Sequence, residues 1–171
     1  MSGSEYLRSP AGVSKIAEFI LLLSAFVIIS LYNNYFKSRA DMGFPRPDHM
    51  DRLSFFTTST IILWLLVTLA FVFSLLSLSD RIGKKWNILN MGISIFSAVI
   101  LLVSSSLLLN EVTHLSDYPT PLGKINLCQA QGYIGKQTCG HLQVSAICGL
   151  LAMLLFVGDF IYYFFKINNQ Q

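Results

Sequence analysis

Three charged residues lie inside stretches of sequence that are otherwise almost free of charge. Lys15 and Glu18 stand near the start of one apolar stretch, three residues apart and therefore on one face of a helix. Asp159 interrupts another, in the run FVGDFIYYF. A charge in apolar surroundings is costly, so such residues usually pair with one another. Two acids and one base could form a neutralising ion-pair cluster, or they could pass protons in a relay.

The chain has four apolar stretches, and two of them must position these charged residues. Each reaches the roughly 20 residues that a helix needs to cross a bilayer. Of the 171 residues, 53% are hydrophobic and 12% are charged, about half the charged share of a soluble domain. The stretches are solidly apolar without alternating polarity, which favours helices over a β-barrel. We therefore predict an all-α integral membrane protein, a four-transmembrane-helix bundle.

The predicted spans cover residues 13–36, 53–78, 88–109 and 144–165, with outer loops at 37–52 and 110–143. The first span lacks a small-residue cleavage pattern and exceeds the apolar part of a signal peptide, so we expect it to remain. Four spans place both termini on one side of the membrane. The turn SDRIGKKWN packs three positive residues into one short connection, whereas the other loops are longer and nearly charge-balanced. Short basic connections favour the cytosol, so we predict that both termini are cytosolic.

This topology brings the three charged residues to a similar depth. Asp159 lies about 9 Å inside the cytosolic end of the last span, and Lys15 and Glu18 enter from the same face. We predict that the first and fourth helices are neighbours and that Lys15 or a nearby hydroxyl satisfies Asp159. Glu18 would complete the cluster and could share a proton with Asp159, because two close carboxylates do not both ionise cheaply. Snorkelling toward water, without contact among the three, is the alternative.

The long last loop contains two cysteines, Cys128 and Cys139. They are predicted to form a disulfide if this loop faces an oxidising lumen. The bond would contribute about 3 kcal/mol by the chain-entropy relation. Two free thiols in a cytosolic loop are the alternative. A metal site through His141 is disfavoured, because no Cys-x-x-Cys or His-x-x-His pair accompanies it.

Two further groups of residues have a predicted role at the membrane. Arg81, Lys84 and Lys85, followed by Trp86, form a basic turn that could hold anionic lipid headgroups, at ~1 kcal/mol for each cation. The turn serves equally well as an orientation signal alone. Hydroxyl and small residues recur at one depth of three predicted helices, at positions 57–60, 104–106, 145 and 149. Such residues let helices approach closely and bond across an interface, and hydroxyls that bond within their own helix and share no layer are the alternative.

No catalytic constellation is visible in the sequence. It has no nucleophile–base pair, metal-ligand spacing, glycine-rich phosphate loop or nucleotide motif, so we predict no enzyme, cofactor or metal. Asp48, His49 and Asp51 in PDHMD could bind a cation, but the polarity of a loop explains them. A net charge of +3, spread over both faces, gives no case for nucleic acid.

The segment YLRSPAGVSKIAEFILLLSAFVI resembles the opening of the MARVEL family. The shared features are the short lead LRSP-G, a basic residue, and an acid one turn into the first span. The resemblance extends to the four spans, the basic middle turn, the two cysteines of the final loop and an acid late in the fourth helix. The chemokine-like-factor-like and single-MARVEL-domain proteins are the relatives that it suggests. The DYPTPLGKINLC spacing of the final loop departs from them.

The resemblance implies one MARVEL-like membrane domain over residues 1–171, with cytosolic termini and a role in organising membranes. Members are associated with vesicle trafficking, sterol-rich domains, membrane contact or junctions, and stabilisation of other membrane proteins. The leading hypothesis is a non-enzymatic protein of the plasma membrane or of secretory or endosomal vesicles. It would act through lateral contacts with lipids, including sterol or anionic lipids, with other membrane proteins, or with further copies of itself. The alternative is a transporter or channel subunit that uses the intramembrane Lys15, Glu18 and Asp159.

Overall fold

The computed structural model describes residues 3–40, 50–76, 83–117 and 139–169, and all regular secondary structure in these ranges is helical. A short helix α1 (Gly3–Arg8) comes first. It is followed by α2 (Pro10–Ala40), α3 (Met50–Leu75), α4 (Lys84–Asp117) and α5 (Cys139–Asn168).

Each of the four long helices is long and apolar enough to cross a membrane. The candidate spans are Pro10–Asn34, Asp51–Leu75, Lys85–Thr113 and Cys139–Asn168. The predicted four-helix membrane fold is therefore confirmed. Helix α4 continues past residue 109, where the third span was expected to end, as far as residue 117. This extension, NEVTHLSD, is polar, which suits a helix end outside the hydrocarbon core.

The four long helices form a closed ring. Each packs against the next one in the chain, and α5 returns to pack against α2. The interface between α4 and α5 is the most extensive of these. Because α2 and α5 are adjacent, residues at the start of α2 can reach residues near the end of α5.

Two apolar layers and a layer of hydroxyl groups occupy much of the interior of the ring. The middle apolar layer consists of Leu22, Leu63, Val67, Ala98, Leu101, Ala152 and Phe156. The second apolar layer consists of Ala25, Ile29, Tyr32, Leu53, Phe56, Leu108, Val112, Cys139, Leu142 and Ala146. Between them along the helices lies the hydroxyl layer, Thr60, Ser104, Ser105 and Ser145, all fully buried.

Helix α1 packs at one end of the ring, which we call the α1 end. The turn into α2 explains the LRSP-G lead. Ser9 is the N-cap of α2, since its Oγ accepts a hydrogen bond from the Gly12 amide at 3.1 Å and donates one to the Tyr6 carbonyl at 2.6 Å. Pro10 occupies the first helical position, where its fixed φ is favourable. A Cβ at Gly12 would collide with the Tyr6 carbonyl, so only glycine fits this close approach.

The outward surface of the ring is apolar. Large hydrophobic side chains are exposed along every long helix, among them Leu31, Leu69, Val99 and Leu154, each at least half exposed. In water such a surface would drive aggregation, whereas in a bilayer it faces lipid.

Candidate functional site

Three charged side chains of α2 and α5 meet inside the bundle, toward the α1 end. Lys15 Nζ lies 2.8 Å from Glu18 Oε2 and 2.6 Å from Asp159 Oδ2. Lys15 and Asp159 are each 3% exposed, and Glu18 is fully buried. We call this group the charged cluster. Its one base and two acids are all removed from solvent, so each must be neutralised within the cluster.

The start of α2 and the buried face of α5 determine where these side chains lie. Lys15 follows the N-cap by six residues and Glu18 is one turn further, which places both on one face of α2. Helix α5 packs against α2. Its buried residues recur at helical spacing, and Asp159 occupies one of these positions between Phe156 and Tyr163. The aspartate is therefore part of the interface and does not face lipid.

Aromatic side chains surround the charged cluster. Lys15 Nζ lies 5.1 Å from the centroid of the Phe156 ring, within cation–π range. Tyr163 is one turn beyond Asp159 on α5 and is 4% exposed. From α1, the Tyr6 ring packs against that of Phe71 of α3, with centroids 6.3 Å apart. Burial raises the pKa of Tyr6 above its usual 10.0. Helix α1 thus covers the cluster from its end of the bundle.

The hydrogen bonds of the charged cluster are incomplete. Within the described ranges, Glu18 Oε1 and Asp159 Oδ2 have no hydrogen-bond partner, although Oδ2 makes the ion contact with Lys15. The Glu18 and Asp159 carboxyl groups are also within hydrogen-bonding reach of each other. Two acids around one ammonium can hold a proton. They do not form a metal site, and no group of three or more His, Cys, Asp or Glu in the described part of the chain is arranged to hold one.

The middle apolar layer closes the far side of the charged cluster. Phe156 and Leu22, each fully buried, are one turn deeper in the bundle than Asp159 and Glu18 respectively. Leu101 and Leu63 from the other two membrane helices complete the layer, at 0% and 1% exposure. The charged cluster and the hydroxyl layer are therefore separated by packed hydrocarbon in this structure.

The basic turn is only partly described. Arg81 lies outside the described residues, and of Lys84 the backbone alone is described. Lys85 is exposed at the start of α4. Trp86 is 9% exposed, and its ring stacks on that of Phe73 with centroids 5.7 Å apart. Trp86 thus packs between α3 and α4, and Lys85 is the member of this turn with a described side chain that can meet a headgroup.

The two cysteines of the last loop differ in how they are placed. Cys139 begins α5 and is 5% exposed, within the second apolar layer. Cys128 lies outside the described residues, so their pairing stays a prediction. Cys148 carries a free thiol inside α5. Most of the PDHMD segment, for which cation binding was considered, also lies outside the described residues, which begin again at residue 50.

Two contacts that tie the helices together were not predicted from the sequence. Arg52 Nη1 lies 3.3 Å from Glu111 Oε2, joining the start of α3 to the end of α4 at the end of the bundle opposite α1. The signal was present, because Arg52 and Glu111 flank facing ends of consecutive antiparallel spans. The contact between Tyr6 of α1 and Phe71 of α3 had no such signal, since nothing in the sequence shows that the first residues fold back as a helix.

Comparison with known proteins agrees with this architecture. The model of the MARVEL family, described as a membrane-associating domain, matches residues 6–162. The matched range begins within α1, reaches into the last turns of α5 and includes all three residues of the charged cluster. No curated protein and no solved structure matches the chain significantly. The chain therefore belongs to the MARVEL family of membrane-associating domains.

Proposed function

We propose that this protein is a non-enzymatic membrane organiser that works through its lateral surface. Its roles would lie in membrane domains, vesicle trafficking, membrane contact or junctions, as the family resemblance implies. The partners are lipids, including sterol or anionic lipids, other membrane proteins and further copies of the chain. The proposed location is the plasma membrane or secretory and endosomal vesicles.

One observation carries this proposal: the charged groups within the membrane helices turn inward, and the outward surface is apolar. Lys15 contacts both Glu18 and Asp159, and its contact with Asp159 holds α2 against α5. The lipid-facing side of the helices presents exposed side chains such as Leu102 and Leu154, at 47% and 59%. Lateral contact is therefore the interaction for which the molecule has the most surface.

Photo-crosslinking can test the lateral surface with matched leucines. A diazirine analogue of leucine would replace Leu102 or Leu154, which are exposed, or Leu101, which is fully buried beside Leu102. In native membranes, we expect the two exposed positions to capture a recurring set of proteins or one enriched lipid class. We expect the buried position to give intramolecular products. Capture at the exposed positions that merely follows the bulk composition of the membrane would contradict the proposal.

The proposal includes an orientation in which both termini are cytosolic. In that orientation the basic turn, with exposed Lys85, meets the anionic inner leaflet, and the Cys128–Cys139 disulfide forms on the oxidising side. Asp51 is exposed near the start of α3, and Lys85 is exposed near the start of α4, at the opposite end of the bundle. Cysteines at these two positions can therefore report on the orientation. In a Cys148→Ala chain, Asp51→Cys should react with an impermeant thiol reagent on intact cells, and Lys85→Cys should react only after permeabilisation. The reverse pattern would overturn the orientation.

The alternative function is transport through the charged cluster. The middle apolar layer counts against it, because among the described residues packed Leu101 and Phe156 lie between the cluster and the hydroxyl layer. Asp159→Asn decides between the two functions. Transport requires that this variant abolish ion or proton flux in liposomes, while wild-type protein conducts. The organiser proposal expects no flux from either chain above that of empty liposomes.

A further inference from the structure

We propose that the charged cluster is a proton-binding site, which holds one proton between the carboxyl groups of Glu18 and Asp159 while Lys15 keeps its ammonium charge. This inference does not rest on the proposed function, because it concerns the interior of the bundle and not its lateral surface. It assigns a stoichiometry, a place and a route of access to the proton.

Charge balance is the first argument. With both acids ionised, the cluster would carry one net negative charge at a place where the three residues are at most 3% exposed. Burial of an uncompensated charge costs several kcal/mol in a protein interior, and the cost is at least as large below a bilayer surface. One bound proton makes the cluster neutral without the loss of either contact to Lys15.

The atoms of the cluster leave a place for that proton. Lys15 Nζ contacts Glu18 Oε2 and Asp159 Oδ2, whereas Glu18 Oε1 is without a partner among the described residues. The Glu18 and Asp159 carboxyl groups are within reach of each other, and ionised carboxylates only accept hydrogen bonds. A bond between them therefore needs one proton, as in other pairs of close carboxyl groups. A proton on Glu18 Oε1 would make this unpartnered atom the donor of the hydrogen bond to the Asp159 carboxylate.

The titratable groups that face the cluster come from three helices. Lys15 and Glu18 belong to α2, Asp159 and Tyr163 to α5, and Tyr6 to α1. Within the described residues, no charged side chain of α3 or α4 acts on the cluster. Neither tyrosine is charged near neutral pH, so neither supplies the missing positive charge. The proton is the remaining neutralising species that these groups can hold.

Access to the proton follows from what covers the cluster. The middle apolar layer closes one side, while Tyr163 and the docked Tyr6 lie on the other. We therefore infer that protons exchange through the α1 end and that undocking of α1 opens this route. Gly12 controls the docking, because a Cβ there would collide with the Tyr6 carbonyl.

Infrared spectroscopy of the protein in lipid bilayers tests the proton directly. A protonated carboxyl group has a C=O stretch well separated from the bands of carboxylate and amide groups. At neutral pH we expect this band in the wild type. We expect its loss in both Glu18→Gln and Asp159→Asn, because each variant leaves one acid to balance Lys15. Both substitutions keep the size of the side chain, and thermal unfolding of each variant checks that it folds.

The outcomes separate the proposal from its rivals. Absence of the band from the wild type at neutral pH overturns it, and a sodium-dependent stability in that case assigns the site to a cation. Persistence of the band in both variants also overturns it, since the proton then belongs to another carboxyl. The route through the α1 end is tested by the rate at which deuterium replaces the carboxyl proton, which shifts the band. This exchange should be faster in Gly12→Ala than in Gly92→Ala, whose Cβ meets open space. Equal rates overturn the route through the α1 end.

Discussion

Lys15 Nζ lies 2.6 Å from Asp159 Oδ2, so one buried ion contact joins the first membrane helix of the chain to the last. Lys15 also pairs with Glu18 on its own helix at 2.8 Å. The lysine is therefore the only base that serves two acids within the described residues of this site. Its loss and the loss of either acid should have unequal consequences.

Lys15→Met should destabilise the bundle far more than Glu18→Gln. The methionine variant leaves two buried acids without a cation, a change that typically costs about 3–5 kcal/mol. The glutamine variant leaves Lys15 paired with Asp159 and should cost about 1 kcal/mol, the net value of a hydrogen bond. Thermal unfolding in detergent micelles measures both.

Arg52→Gln is the matched control for these variants. It also breaks an ion contact between helices, but Arg52 is 36% exposed and its contact to Glu111 is longer, at 3.3 Å. Because Arg52 reaches solvent while Glu111 is 6% exposed, this pair lies between exposed and buried ones, and the variant should cost less than Lys15→Met. Equal losses for Lys15→Met and Arg52→Gln would show that the charged cluster does not hold α2 and α5 together.

The spans could be predicted from the sequence because apolar length alone identifies a membrane helix. The depth of Asp159 and of Lys15 followed from counting residues along those spans. Two things could not follow in this way. The packing of Trp86 on Phe73 depends on how α3 and α4 meet. The sequence of a membrane boundary is the same whether its side chains face headgroups or a neighbouring helix. The docking of α1 depends on contacts such as that of Tyr6 with Phe71, which no periodicity in six residues can signal.

Gly12→Ala should release α1 from the bundle. The added Cβ would meet the Tyr6 carbonyl, and the backbone must move to relieve the overlap. Overpacking of this kind costs about 1–3 kcal/mol, enough to undock a helix of six residues. Hydrogen exchange should become faster at residues 3–8 and stay unchanged in the middle of α4. Gly92→Ala, in open space on α4, should leave α1 docked and stabilise its own helix by up to about 1 kcal/mol.

The Tyr6 hydroxyl should make the docking of α1 sensitive to alkaline pH. Burial raises the pKa of Tyr6 above 10.0, so the docked state favours the neutral phenol. A group with a raised folded-state pKa contributes its full stability below the unfolded value and loses it as pH rises through the folded value. Docking should therefore be independent of this tyrosine near neutral pH and weaken above pH 10.0.

Tyr6→Phe separates the hydroxyl from the ring. The phenylalanine keeps the contact with Phe71 and loses only the hydroxyl group, at a cost of up to about 1 kcal/mol. Hydrogen exchange at residues 3–8 should be moderately faster than in the wild type at neutral pH. Above pH 10.0, hydrogen exchange at residues 3–8 should accelerate more in the wild type than in this variant. Both rates are first corrected for the intrinsic effect of pH on exchange. The same alkaline change in both chains would assign the effect to another group.

The packing of α5 against α4 at Gly149 depends on the absence of a side chain there. A Cβ at this position would collide with Ser105 Oγ and would lie 3.3 Å from the Phe56 ring. The hydroxyl that blocks the space has no hydrogen-bond partner in the described part of the chain, although Ser105 is fully buried. Gly149→Ala should therefore cost about 1–3 kcal/mol through overpacking. Gly158→Ala, on the open face of the same helix, should cost nothing measurable.

Ser105→Ala should rescue Gly149→Ala. Removal of the Oγ alone leaves no polar group unsatisfied and takes away the atom that the new methyl group would meet, so the single variant should be neutral or slightly stabilising. The double variant should then be more stable than the sum of the single changes allows, with a coupling of about 0.5–3 kcal/mol in thermal unfolding. Additive effects would mean that Phe56, and not the serine hydroxyl, limits the approach of the two helices, because the ring is the other neighbour of the added Cβ.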